Sequence, residues 1–195
     1  MDESRSIAAP WLVAGAAWVV TGLLGLSAAD GTGGFYATEV SWLVVHALVF
    51  VGLVGLLRSG VTGELRWGRA ALVLAAVARV LFFCFEVASI VKGTDELAVF
   101  PIAVVGSGLG LFVGGVAIIR AGRWRGWGRY TPAAVGAYPF LAIVPVFAAT
   151  GDRPPDALVA GWGLTLLLVG IALVVRRESS PARTAKRGAT LSPSA

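Results

Sequence analysis

The stretch AALVLAAVARVLFFCFEVASIV (residues 70–91) decides the fold. Arg79 and Glu86 are its only charges. At 1.5 Å per residue such a run makes a helix of roughly 33 Å, enough to cross a hydrocarbon core of about 30 Å. Comparable apolar blocks lie at about 8–28, 40–57, 97–119, 131–150 and 157–175, so six spans are expected. Hydrophobic residues form 57% of the 195-residue chain and charged ones 14%, against about 45–50% and about 25% in soluble domains. One globular core cannot bury that excess. The reading is an all-α integral membrane bundle, a single transmembrane domain over residues 1–177, with short connections that pack consecutive spans as antiparallel neighbours.

The basic residues give the expected orientation. Arg5, Arg58, Arg66, Arg69, Arg120, Arg123, Arg125, Arg129, Arg176, Arg177, Arg183, Lys186 and Arg187 all fall on one side of the six spans. Only Lys92 and Arg153 fall on the other, among Asp30, Glu39, Asp95, Glu96, Asp152 and Asp156. Short loops rich in Lys and Arg stay cytoplasmic, so a multi-pass plasma-membrane protein with both termini inside is expected. The net charge of +5 is then a topology signal, and no nucleic-acid partner is read from it. In RAGRWRGWGRY (120–130) the arginines beside Trp124, Trp127 and Tyr130 suit anionic headgroups and an aromatic belt. The first apolar stretch exceeds the length of a signal-peptide core and follows a net acidic MDESR, so it is expected to stay as a span. The polar segment 178–195 is expected to be a disordered cytoplasmic tail. Arginine outnumbers lysine fourteen to two, a bias of GC-rich bacterial genomes.

Three even-numbered spans share a register. LVFVGLVGLLR (48–58), GLFVGGVAIIR (110–120) and LLLVGIALVVR (166–176) each place Val-Gly six residues before an arginine, at Gly52, Gly114 and Gly170. A threefold helical-hairpin repeat would produce this, although arginine at each cytoplasmic end is expected in any case. The fourth span also carries Gly106, Gly110 and Gly114 on one helical face, a small-residue seam that admits a neighbouring backbone. Ser107 sits between glycines. An intramembrane serine protease would need a glycine where Val105 stands, and the only histidine lies on the second span, so no nucleophile–base pair is read.

Arg79 and Glu86 are two turns apart on one face of the third span. A central arginine costs about 2.5–3.5 kcal/mol to insert and is rarely left facing lipid. His46, in WLVVHALVF (42–50), is expected at the level of Glu86 on the adjacent antiparallel span. His46, Arg79 and Glu86 therefore form the candidate ligand- or proton-binding cluster. Tyr138, beside Pro139 and near Pro145, is a further candidate lining residue, and Ser107 another. One His and one Glu are too few for a closed zinc site, bis-histidine haem is excluded by the single His, and Cys84 is read as a small packing residue. No metal, cofactor, phosphate loop or nucleotide fingerprint is expected. Two readings stand: a transport-like or ligand-binding protein using this cluster, and a structural or regulatory subunit whose glycine-rich fourth span docks another helix or a second copy. Enzyme chemistry ranks third.

Overall fold

The computed structural model describes residues 3–25, 29–94, 100–150 and 154–178. Six segments are long and apolar enough to cross a membrane. They are α1 (Glu3–Gly25), α2 (Gly33–Arg58), α3 (Arg66–Lys92), α4 (Phe100–Ala121), a compound fifth segment, and α7 (Asp156–Glu178). The fifth opens with a 3-10 turn at Trp127–Tyr130 and runs as α5 (Thr131–Tyr138). It widens into a π turn at Pro139–Ile143 and finishes as α6 (Val144–Thr150). No strand occurs among the described residues. The chain is a multi-pass, all-α membrane bundle.

Several span boundaries differ from the sequence reading. The second span begins at Gly33 rather than near residue 40, capped by Thr32, whose hydroxyl accepts from the Phe35 amide at 3.3 Å. Glu39 is consequently a buried helical residue and not a loop charge. The fourth span is described from Phe100, its expected start near 97 lying outside the described residues, and α7 runs on through Glu178. Residues 26–28, where the first span was expected to end, and the tail beyond Glu178 lie outside the described residues.

The spans pack in chain order as neighbours, and α7 closes the circle against α1 in the most extensive helix pairing of the molecule. Glycine makes that closure. Between lipid-exposed helices there is no hydrophobic drive to associate, so close backbone approach carries the packing. Gly15 and Gly22 on α1, two turns apart, face Leu167 and Ala160 on α7. Gly163 and Gly170 on α7 face the Gly15 carbonyl and Leu12. A Cβ at Gly15 would lie 2.6 Å from the Leu167 amide nitrogen.

Helix α4 uses glycine on two faces. Gly106, Gly110 and Gly114 meet Ala78, the Ala71–Ala75 backbone and Leu72 of α3. Gly108 and Gly115 meet Gly136 and Ala133 of α5. The face expected to dock another protein is therefore occupied within the chain. The shared register of the even-numbered spans also diverges here. Gly52 and Gly114 pack on the preceding helix, against Trp11 and Leu72, whereas Gly170 packs on α1.

The outer surface is a girdle of lipid-facing side chains such as Val13, Val20, Val44, Val77 and Ile102. Cys84 belongs to it: the thiol is exposed, not packed inside as the sequence reading expected. Trp124, assigned to the aromatic belt, is instead buried in the core, while Trp67, Trp127 and Tyr130 remain exposed at the arginine-rich end.

Candidate functional site

Antiparallel geometry assembles the site. From Gly33 to His46 is thirteen residues, and Arg79 is thirteen from either end of α3. Both therefore stand near mid-span, roughly 20 Å from the helix ends. Glu39 lies six residues from the start of α2 and Glu86 six from the end of α3. Each helix thus carries two ionisable residues seven apart, and because the helices run oppositely the four fall at two matched levels. The sequence reading placed His46 level with Glu86; the longer α2 puts it level with Arg79.

Side chains lean toward a helix's own N-terminus, and α2 and α3 point theirs in opposite directions. His46 and Glu86 therefore lean toward one another and meet between the two levels, His46 Nε2 standing 3.5 Å from Glu86 Oε1. On the other edge of the imidazole, Arg79 Nη1 donates to His46 Nδ1 at 3.3 Å. A guanidinium cannot accept a hydrogen bond. Nδ1 must then be the acceptor, and in the neutral ring the proton sits on Nε2, facing Glu86. His46 thus stands between the cation and the carboxylate.

Burial is nearly complete: Arg79 is 1% exposed, Glu39 2%, His46 3% and Glu86 4%. Aromatic rings replace the lost water. The Arg79 guanidinium carbon lies 4.8 Å from the centre of the Trp162 ring, 5.2 Å from Trp18 and 5.3 Å from Phe82, each within cation–π range. The His46 ring stacks on Phe82 at 4.5 Å and 8° and meets the edge of Trp18.

The indoles are fixed by carbonyls that the helices leave available. Pro139 has no N–H, so the Val135 carbonyl loses its usual intrahelical donor. Trp162 Nε1 donates to that oxygen at 2.9 Å. The π turn follows directly, with the Val144 amide reaching back to the Pro139 carbonyl. Trp18 Nε1 donates to Val159 O at 2.7 Å, so the two indoles also tie α1 to α7 and α7 to α5.

Between these groups lies a cavity of about 30 Å³, room for about two waters. Each of the six spans gives it a wall residue: Trp18, Trp42, Phe82, Phe100, Ile143 and Trp162. Glu39, His46 and Glu86 are its ionisable lining. Glu39 escaped the sequence reading because a carboxylate at a span edge resembles a loop residue. Its seven-residue spacing from His46, matching that of Arg79 and Glu86, was the available signal.

The other candidates sit apart from this lining. The Tyr138 hydroxyl donates to Leu158 O at 2.9 Å and packs against Gly161, bracing α5 on α7. Ser107 is fully buried in α4, and its Oγ has no hydrogen-bond partner among the described residues. No group of three His, Cys, Asp or Glu side chains among the described residues is disposed to hold a metal ion. No protein-family model, curated protein or solved structure matches the chain significantly.

Proposed function

We propose that this is a small transport-like or ligand-binding protein of the plasma membrane, its termini cytoplasmic, that handles protons at the cavity between Glu39, His46 and Glu86. One observation carries the reading: three ionisable side chains from two helices, Glu39, His46 and Glu86, all almost fully buried, line one cavity to which all six spans contribute, with buried Arg79 bonded to the histidine. Ionisable groups inside a membrane bundle are expensive and mark ion or proton pathways. Imidazole is the side chain that changes charge near physiological pH, and here it touches a carboxylate on one edge and a cation on the other. A proton accepted at Nδ1 removes the acceptor of the Arg79 bond and sets two cations side by side. Protonation therefore drives Arg79 away from His46, coupling the charge of the cavity to the placement of α3. The arginine distribution supports the orientation, which puts Glu39 and Glu86 in the outer half.

Dicyclohexylcarbodiimide tests this directly, because it enters the bilayer and reacts with protonated carboxyl groups. The expected result is an adduct at Glu39 or Glu86, mapped by peptide mass spectrometry, whose yield falls as pH rises and changes its pH profile in His46→Gln. The small volume of the cavity favours a second reading, in which the cluster only locks α2 and α3 in register. That reading predicts no adduct at any pH at which the bundle stays folded, a result that would refute proton handling.

A further inference from the structure

The central cavity has a wall of two materials. Of its eleven lining residues, six are tryptophan or phenylalanine, Trp42, Phe85 and Phe100 among them, and two are the carboxylates Glu39 and Glu86. No Lys or Arg among the described residues lines it. Arg79 stands across His46, bonded to the Nδ1 edge of a ring whose Nε2 edge faces Glu86. Its guanidinium is held by the rings of Trp18, Phe82 and Trp162.

Both materials attract the same charge. N–H donors on a cation make strong, charge-assisted hydrogen bonds to carboxylates. An aromatic ring attracts a cation through its quadrupole, and more strongly when the cation is desolvated. Glu39 and Glu86 are almost fully buried, so a cation beside them would be out of bulk water. We infer that the cavity binds a small ammonium-type cation, ammonium itself or methylammonium, whose N–H groups donate to Glu39 and Glu86 while the rings take the rest of its surface. The inference deepens the ligand-binding reading of this cavity and rests on it.

Size and coordination narrow the class. A volume of about 30 Å³, room for about two waters, suits ammonium, which is the size of a water, or methylammonium, which is the size of a pair. Tetramethylammonium, with a methyl group on every side, is too large. A bare potassium ion needs a shell of oxygens in place of its water, as the carbonyls of a selectivity filter supply, and most of this wall is carbon. No group of three His, Cys, Asp or Glu side chains among the described residues is disposed to hold a metal ion. An ammonium ion needs no such shell, since carboxylates take its N–H groups and ring faces its remaining charge. An anion would meet two carboxylates and no cationic side chain in the wall.

The test uses the full chain in lipid nanodiscs and saturation-transfer NMR of methylammonium, which reads weak binding. Irradiating the aromatic protons of the protein should carry saturation to the methyl group of the ligand, and nanodiscs without the chain should carry none. At constant ionic strength, excess ammonium should displace the methylammonium, whereas potassium and tetramethylammonium should not. Glu39→Gln should require about tenfold more methylammonium for half-saturation, the fold-change of losing one charge-assisted bond. Phe85→Leu, on the other helix, keeps an apolar wall but removes a ring and should require about threefold more. Asp30→Asn, which changes an exposed carboxylate outside the cavity, should bind as wild type. Absence of saturable transfer, equal displacement by potassium or tetramethylammonium, or unchanged binding in both cavity variants would overturn the inference. Carbodiimide labelling without amine reads the proton site separately. Adducts that follow pH without methylammonium binding would remove this inference and leave proton handling standing, and binding without adducts would do the reverse.

Discussion

Gly110 gives the sharpest packing prediction. An alanine there would place its Cβ 2.5 Å from the Ala75 nitrogen and 2.6 Å from the Ala71 carbonyl oxygen, where ordinary contact is 3.4–4 Å. Both obstacles are backbone, so no rotamer change relieves them, and α3 and α4 must part by about 1 Å along that contact, losing dispersion contacts along the seam. Overpacking of this kind costs about 1–3 kcal/mol, while alanine recovers about 0.5–1 kcal/mol of helix propensity over glycine. A net loss of about 1–2 kcal/mol follows for Gly110→Ala. Gly106→Ala is the internal control: its Cβ meets only the Ala78 methyl group at 3.3 Å, so propensity should leave it neutral or slightly stabilised. Reversible unfolding in mixed micelles titrated with dodecyl sulfate, followed by tryptophan fluorescence, reads both. Equal stability of the two variants would refute the reasoning.

Three further outcomes are expected. Arg79→Leu should destabilise the bundle by about 3–5 kcal/mol, because it leaves the rest of a buried ionic set uncompensated; adding Glu86→Gln should recover part of the loss, and strict additivity in the double-mutant cycle would uncouple the residues. Trp162→Phe should cost about 1–3 kcal/mol by orphaning the Val135 carbonyl. The cost should shrink on a Pro139→Ala background, where residue 139 regains its N–H, and an undiminished cost would sever the link between that proline and the indole. In a Cys84→Ser background, a cysteine at Thr32 should react with an impermeant thiol reagent in intact cells while one at Arg125 should not; the reverse pattern inverts the topology.

The helices were legible in the sequence because apolar length is a local property. Blocks such as 70–91 announce themselves, and only their ends slipped, at Gly33 through a carboxylate that looked like loop. The grouping of His46, Arg79 and Glu86 was legible because all three lie on adjacent antiparallel spans, although the assumed start of α2 near residue 40 set His46 level with Glu86 instead of Arg79. Partnership between distant helices was not. Nothing in Gly15 or Gly163 says which helix will lie against it, so the closure of α7 on α1, and with it the placing of Trp162 over Arg79, had no local signature. The π turn falls between these cases. Pro139 and Pro145 mark a break in hydrogen bonding, but the indole that satisfies the freed carbonyl comes from another span.

The closure of α7 on α1 also sets the order of assembly. Chains are made from the N-terminus, so α3 enters the membrane with Arg79 while Trp18 and His46 already exist and Trp162 does not. The bond from Trp18 to Val159 spans 141 residues, and contacts of such separation form late. A nascent chain that has made five spans therefore carries the glycine face of α1 bare and its buried arginine open on one side. The site thus stays incomplete until α7 docks on α1 and brings Trp162 over Arg79.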